Sequence, residues 1–299
     1  MPEIRKPTFL DLSMLIASMT TWGLAFVAMK IVVPDLGPYW VSALRSGLGF
    51  LLVFPFALWI GLRWPNGRDQ WLKVVLVAIC MFIVPATVIA WGLQTLDAGV
   101  AALLMGTGPF MALFAGHFFT TDERFTLPKL IAVCFGFSGI ALIVGPSAFT
   151  DFGSDDLFAK SVLICCAAFF VTGGYTIRRI NLPSLSLTAI CLMVATIVLV
   201  PFSLAVSGPV NLDLRPDVIL WLLFLGAIAS GLAFVVRFFL IQRIGYAMFS
   251  IGVNLIPVSG VILGALILGE VVTLPIMLAL MLVVGGLFIA RLGAKGAAS

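Results

Sequence analysis

Two arginines lie inside long apolar runs, Arg45 in VSALRSGLGFLLV and Arg237 in GLAFVVRFFLI. A guanidinium stays charged and costs several kcal/mol in hydrocarbon. Such a residue either lifts its charge to the headgroups on a long stem or serves a bound anion or a gate. Around these two cations, helical spacing lines up polar and aromatic side chains. Ser230, Phe234 and Arg237 share a face, as do Thr87, Trp91 and Gln94, and Ser250, Asn254 and Pro257. Ser18, Thr21 and Ala25 form a small, hydroxylated face beside Trp22, and Phe170, Gly173, Tyr175 and Thr176 form another. Rings beside hydroxyls and a fixed cation suit a small guest with an apolar body and a polar or anionic head. The candidate contacts are therefore Ser18, Trp22, Arg45, Thr87, Trp91, Tyr175, Ser230, Phe234, Arg237, Ser250 and Asn254.

Each candidate has a plainer reading. Trp91 and Gln94 lie where an interfacial aromatic belt would form. Asn254, an amide deep in an apolar stretch, reads equally as a hydrogen bond to a neighbouring helix. Lys30 reads as a snorkelling residue and His117 as a polar interface residue. Asp11, Asp97, Asp122, Glu123 and Glu270 all sit at the ends of apolar stretches, and none lies in the middle of one. An exchanger of cationic drugs for protons would need a buried carboxylate, so the fixed interior charge favours a carboxylate- or phosphate-bearing guest. No paired carboxylates, nucleophile–base set, H-E-x-x-H or G-x-x-x-x-G-K-[ST] loop appears, so neither an enzyme nor nucleotide hydrolysis is indicated.

The elements that must carry these residues are set by composition. The chain is 62% hydrophobic and 10% charged, with a mean hydropathy of +1.21. A soluble domain carries roughly 25% charged residues, so the solvent here is lipid. Five cysteines lie in apolar runs without a C-x-x-C pair, and the chain has one histidine. They read as small core residues, with no disulfide, metal or cofactor expected.

Ten apolar stretches near the ~20 residues needed to cross a bilayer follow one another. They fall at 12–33, 38–60, 71–93, 97–118, 128–146, 158–178, 185–206, 217–241, 246–268 and 273–291. The first is too long for a secretory signal and lacks a cleavage pattern, so it reads as a retained helix. With the N-terminus inside, the inner segments hold twelve Lys and Arg and the outer ones three, Lys30, Lys160 and Arg215. That asymmetry predicts an inner-membrane, multi-pass protein with both termini cytoplasmic.

The chain also repeats itself. WGLQTLDAGVAALLMGTGPF from Trp91 and FLIQRIGYAMFSIGVNLIPV from Phe239 align at an offset of 148 positions, which carries Gln94 onto Gln242, Pro109 onto Pro257, Gly116 onto Gly264 and Asp122 onto Glu270. The expected units are 1–147 and 158–292, joined by a linker at 148–157. Five stretches per unit is odd, so the second unit would enter the membrane from the opposite face. The predicted fold is all-α, with ten transmembrane helices as two inverted five-helix repeats around a central cavity. Pro109 and Pro257 would bend their helices, while Gly260-x-x-x-Gly264 and Ala112-x-x-x-Gly116 would allow close packing.

Trp22-Gly23, Lys30, Arg45, Pro109, Asp122-Glu123, Gly136 and Gly139, followed by Pro257, Gly269-Glu270, Gly285 and Gly286, make the chain resemble the drug/metabolite transporter superfamily, in particular its EamA-type ten-helix members. The resemblance implies a basket-shaped bundle working by alternating access, with helices 1, 3, 4, 6, 8 and 9 lining the cavity. Met193 stands at the position equivalent to Arg45, so the cavity is asymmetric in charge. The resulting expectation is a secondary transporter exporting small organic metabolites, most readily amino acids or related zwitterionic or anionic compounds. Export itself rests on the resemblance. A cationic-drug effluxer is the first alternative, disfavoured by the missing carboxylate. A sugar-phosphate or nucleotide carrier is the second, for which two buried cations are few. The expected partners are a small-molecule substrate and the lipid bilayer, without nucleic acid. Oligomeric state is left open, and a monomer is consistent with the sequence.

Overall fold

The computed structural model describes residues 8–108, 110–111, 130–131, 134–135, 138–139, 141–142, 155–177, 179–211, 213–244, 249, 252–253 and 255–296. Of the positions singled out above, Pro109, Ala112, Gly116, His117, Asp122, Glu123, Gly136, Ser250 and Asn254 lie outside the described residues. The described elements are helices: α1 (Phe9–Ile60), α2 (Gly67–Gly92), α3 (Ala98–Met105), α4 (Asp155–Ile177), α5 (Ser184–Ser207), α6 (Pro216–Ile244), α7 (Leu255–Leu268) and α8 (Leu274–Gly296). Five of them (α1, α2, α4, α5 and α6) are long and apolar enough to cross a membrane. α7 and the apolar part of α8 are shorter.

α1 contains two of the predicted stretches. Its 52 residues would run about 78 Å if straight, more than twice the ~30 Å of a hydrocarbon core. Gly37 breaks it at φ 73°, a left-handed region that L side chains avoid, between Pro34 and Pro38. The two arms fold back on each other. Arg45 and Met29 are 16 positions apart, about 24 Å along a straight helix, yet the Arg45 Nη1–H reaches Met29 Sδ at 3.0 Å. The start of the helix is held by a capping box, in which Thr8 and Asp11 bond each other's backbone N–H groups.

Two sets of polar contacts mark the ends of the bundle. At the near end, Arg63 N–H donates to Ser186 Oγ, Asn181 N–H to Gln70 Oε1 and Gln242 Nε2–H to the Leu182 carbonyl. Arg243 pairs there with the buried Asp11 at 3.1 Å, tying α6 to α1. At the far end, Trp40 Nε1–H donates to the Gly208 carbonyl and Ser203 Oγ–H to that of Tyr39. Lys30 Nζ donates to the Leu93 and Leu96 carbonyls at 3.0 and 2.6 Å, closing the C-terminal end of α2. Glu270 does the converse for α3, accepting from the Ala98 and Gly99 N–H groups at 2.6 and 2.9 Å.

α7 threads between α1 and α3 because its crossing point is glycine. A Cβ on Gly260 would overlap that of Ala102, and one on Gly23 would come within 2.8 Å of Ser259 Cβ and 2.9 Å of the Gly260 nitrogen. In lipid, where burial does not drive helices together, such close backbone approach supplies the packing. The outward surface is apolar, with Leu51, Leu52, Phe56, Trp59, Ile197, Leu204, Leu220 and Leu266 exposed, as a lipid-facing wall requires.

Three of the described helices carry π-helical turns, Ile79–Ile83 in α2, Phe224–Leu232 in α6 and Gly264–Leu268 at the end of α7. In α2 the cause is Pro85, which has no N–H to offer Met81 and whose ring needs clearance from that carbonyl. The repeat offset of 148 carries 79–83 onto 227–231, inside the second π-turn.

Candidate functional site

The π-turns of α2 and α6 face a common space. Between the arms of α1 and helices α2, α3, α4, α6 and α7 lies a cavity with an empty volume of about 940 Å³, its mouth included. α1 contributes Trp22, Phe26 and Met29 from its first arm and Arg45 and Ser46 from its second. α2 presents Phe82, Pro85, Ala86 and Ile89, one helical stripe at spacing i, i+3, i+4, i+7. α6 presents Ser230, Phe234 and Arg237, and α4 presents Phe170 and Val171. Met105, Gly106, Gly108, Val253 and Ile256 also line the cavity.

Arg45 is 7% exposed and is held by defined contacts: its Nε–H donates to Ser230 Oγ at 2.9 Å and its Nη1–H to Met29 Sδ. The bond to Ser230 joins the second arm of α1 to the π-turn of α6. Trp22 is fixed from the other side, its Nε1–H donating to the Ala229 carbonyl of the same turn at 3.1 Å. Its indole meets Phe234 edge-on at 5.3 Å and Phe249 at 6.5 Å, and Phe82 packs on Phe234 at 4.2 Å. Arg237, 5% exposed, lies within this aromatic group. Its guanidinium carbon is 5.1 Å from the centroids of Trp22 and Phe170, 5.2 Å from Phe249 and 5.8 Å from Phe234. Ser230, which holds Arg45, and Arg237 are seven residues apart on α6, roughly 10 Å by backbone rise. Among the described lining residues none is acidic.

Of the candidates named from sequence, the cavity thus gathers Trp22, Arg45, Ser230, Phe234 and Arg237. Four others are placed off its wall. Ser18 donates to the Met14 carbonyl and Thr87 to that of Ile83, each within its own helix. Trp91 packs edge-on against Phe158 at 5.6 Å, and Tyr175 is half-buried against the core. Pro257 is buried where Gly106 leaves room for its ring, since a Cβ on Gly106 would lie 2.9 Å from Pro257 Cγ. Gly264 lies beside the Glu270 carboxylate.

Some of the lining residues not named from sequence were within reach of the repeat. At the offset of 148, Trp22 pairs with Phe170, Phe82 with Ser230, Ala86 with Phe234, Ile89 with Arg237, Met105 with Val253 and Gly108 with Ile256, and both members of all six pairs line the cavity. Carrying each candidate across the repeat would have found Phe82, Ala86 and Ile89. Arg45 has no such mate on the wall, so the positive charge is not symmetric.

A family model described as the EamA-like transporter family matches residues 10–145 and again 156–292. An uncharacterized transporter of Bacillus subtilis, YoaV, is 24% identical over 270 residues, covering 89% of this chain and 91% of its own. An uncharacterized transporter of Archaeoglobus fulgidus is 26% identical over 263 residues, covering 86% of this chain and 89% of its own. A protein of Streptantibioticus cattleyicolor, named a probable terminal-alkyne amino-acid exporter, is 26% identical over 270 residues, covering 86% and 85%. A protein of known crystal structure superposes with a TM-score of 0.68 at 19% identity, covering 97% of this chain and 98% of that one, which speaks to the fold alone.

Proposed function

This chain belongs to the EamA-like transporter family, and we propose that it is an alternating-access secondary transporter exporting small organic anions or zwitterions, amino acids and their relatives foremost. One observation carries the substrate class. Arg45, a buried guanidinium on the cavity wall, is held by two neutral partners, the Ser230 hydroxyl and the Met29 sulfur, neither of which carries the negative charge that would balance it. A guest carboxylate supplies that charge, and the rings of Trp22, Phe26, Phe82, Phe170 and Phe234 cover an apolar body. The name of the Streptantibioticus relative supports both the amino-acid class and the outward direction.

The working cycle we propose uses ten spans as two inverted units, 1–147 and 158–292, with 148–157 as the link. The six cavity-lining pairs and the coincident π-turns support this arrangement. Inverted units of similar sequence have two exchanged shapes of nearly equal energy, and swapping them moves the opening from one end to the other. The near end, with Arg63, Arg68, Lys73, Arg179 and Arg243, is assigned to the cytoplasm, which puts both termini there, in the inner membrane. Trp22, Arg45, Ser230, Phe234 and Arg237 are the proposed contacts, with Asn254 added from its place in sequence between Val253 and Ile256.

Counterflow in proteoliposomes, with amino acids, sugar phosphates and lipophilic cations offered in turn, tests the proposal. Saturable amino-acid exchange that falls at least tenfold in Arg45→Met is the expected result. Exchange confined to lipophilic cations refutes it.

A further inference from the structure

Arg237 is not placed as a simple anion hook. Four rings from four parts of the chain surround its guanidinium: Trp22 of α1, Phe170 of α4, Phe234 of α6 and Phe249, all with centroids between 5.1 and 5.8 Å away. Ring faces gathered around one point are the arrangement by which proteins bind quaternary ammonium ions. The rings also hold one another, Trp22 against Phe234 and Phe249, and Phe82 against Phe234. The Trp22 bond to the Ala229 carbonyl fixes one wall without help from the arginine. The cage therefore has supports that outlast a change at 237.

We propose that Arg237 is a built-in occupant of an aromatic cage and thereby decides the charge class of guest the cavity accepts. With the arginine present, the cage is filled and a second cation is repelled. With a neutral side chain there, the vacated cage admits a small quaternary ammonium ion. The repeat agrees with this division of roles. Ile89, the mate of Arg237 at the offset of 148, lines the same cavity without charge, so the arginine is an addition to one half and not a demand of the fold. This inference rests on the anion or zwitterion reading above, but it is tested separately.

The test is equilibrium dialysis of tetramethylammonium against the purified full chain in detergent. Arg237→Met and Arg237→Gln should bind it at least tenfold more tightly than wild type. Arg237→Lys, which keeps the charge, should stay as weak as wild type. The double change Arg237→Met with Phe170→Leu should give back most of the gain. Wild type binding as tightly as the neutral variants would overturn the proposal, as would no gain in either folded neutral variant or an undiminished gain in the double variant. Failure of both neutral variants to fold would also overturn it, because the cage would then require its arginine. Amino-acid counterflow keeps the two readings apart. Neutral variants that gain the cation while wild type moves no amino acid would remove the metabolite reading alone; amino-acid exchange by wild type with no cation gain would remove the cage alone.

Discussion

Glu270 offers the sharpest quantitative test of how the bundle is held at its far end. α3 begins at Ala98, and the side chain of Asp97, in the capping position, makes no capping hydrogen bond. The first N–H groups of a helix have no intrahelical acceptor, so an outside group must supply one. Glu270 does so from 172 and 171 residues away, one carboxylate oxygen to each of Ala98 and Gly99, at 2.6 and 2.9 Å. Hydrogen bonds to a charged group contribute about 1.5–3 kcal/mol each in the interior. A negative charge at a helix N-terminus adds a few tenths to ~1 kcal/mol. Glu270 is only half-buried, so the total is taken near the low end, about 2–4 kcal/mol for Glu270→Ala. Since 1.4 kcal/mol is tenfold, the local opening that exposes these amides should become roughly 30- to 1,000-fold more frequent. Hydrogen–deuterium exchange of the peptide starting at Asp97 measures this directly. The two amides of Ala98 and Gly99 should exchange faster by that factor, while Ala101, whose N–H is bonded to the Asp97 carbonyl, should change less. Glu270→Gln keeps one uncharged acceptor and should fall between wild type and alanine. Unchanged exchange in Glu270→Ala would refute the claim that this carboxylate caps the start of α3.

Four more substitutions probe the same geometry. Ser230→Ala leaves the buried Arg45 Nε–H without its acceptor and should cost ~1–3 kcal/mol, read as a lower thermal unfolding temperature in detergent. Gly260→Val forces α7 away from Ala102 and should destabilise by at least the ~1–3 kcal/mol of an overpacked core, seen as reduced membrane abundance and a lower unfolding temperature. Trp91→Ala removes a ring that packs on Phe158 outside the cavity and should leave counterflow rates near wild type, whereas Trp22→Ala, which strips the wall and the bond to Ala229, should abolish most exchange.

The amino-acid sequence by itself determined the solvent and the plan. Too few charges to coat a water-soluble globule mean lipid, and a segment repeated at 148 positions means two related units. It also flagged Arg45 and Arg237, because a guanidinium in an apolar run is costly enough to need a reason. Tertiary structure alone decided which stripe of each helix looks inward. On α2, Phe82, Pro85, Ala86 and Ile89 face the cavity, while Thr87 and Trp91 lie on the neighbouring stripe. Both stripes are apolar or nearly so, and the π-turn ahead of Pro85 inserts a residue that rotates the remainder of the helix by about 100°. Glu270 on α3 and Arg45 on Ser230 join residues more than 170 positions apart, which no local pattern encodes. The physical reason is common to all of these. Hydrophobicity carries a segment into the bilayer but does not tell one apolar face from another, so the inward face is chosen by backbone approach at glycines and by the partners that buried polar groups must find.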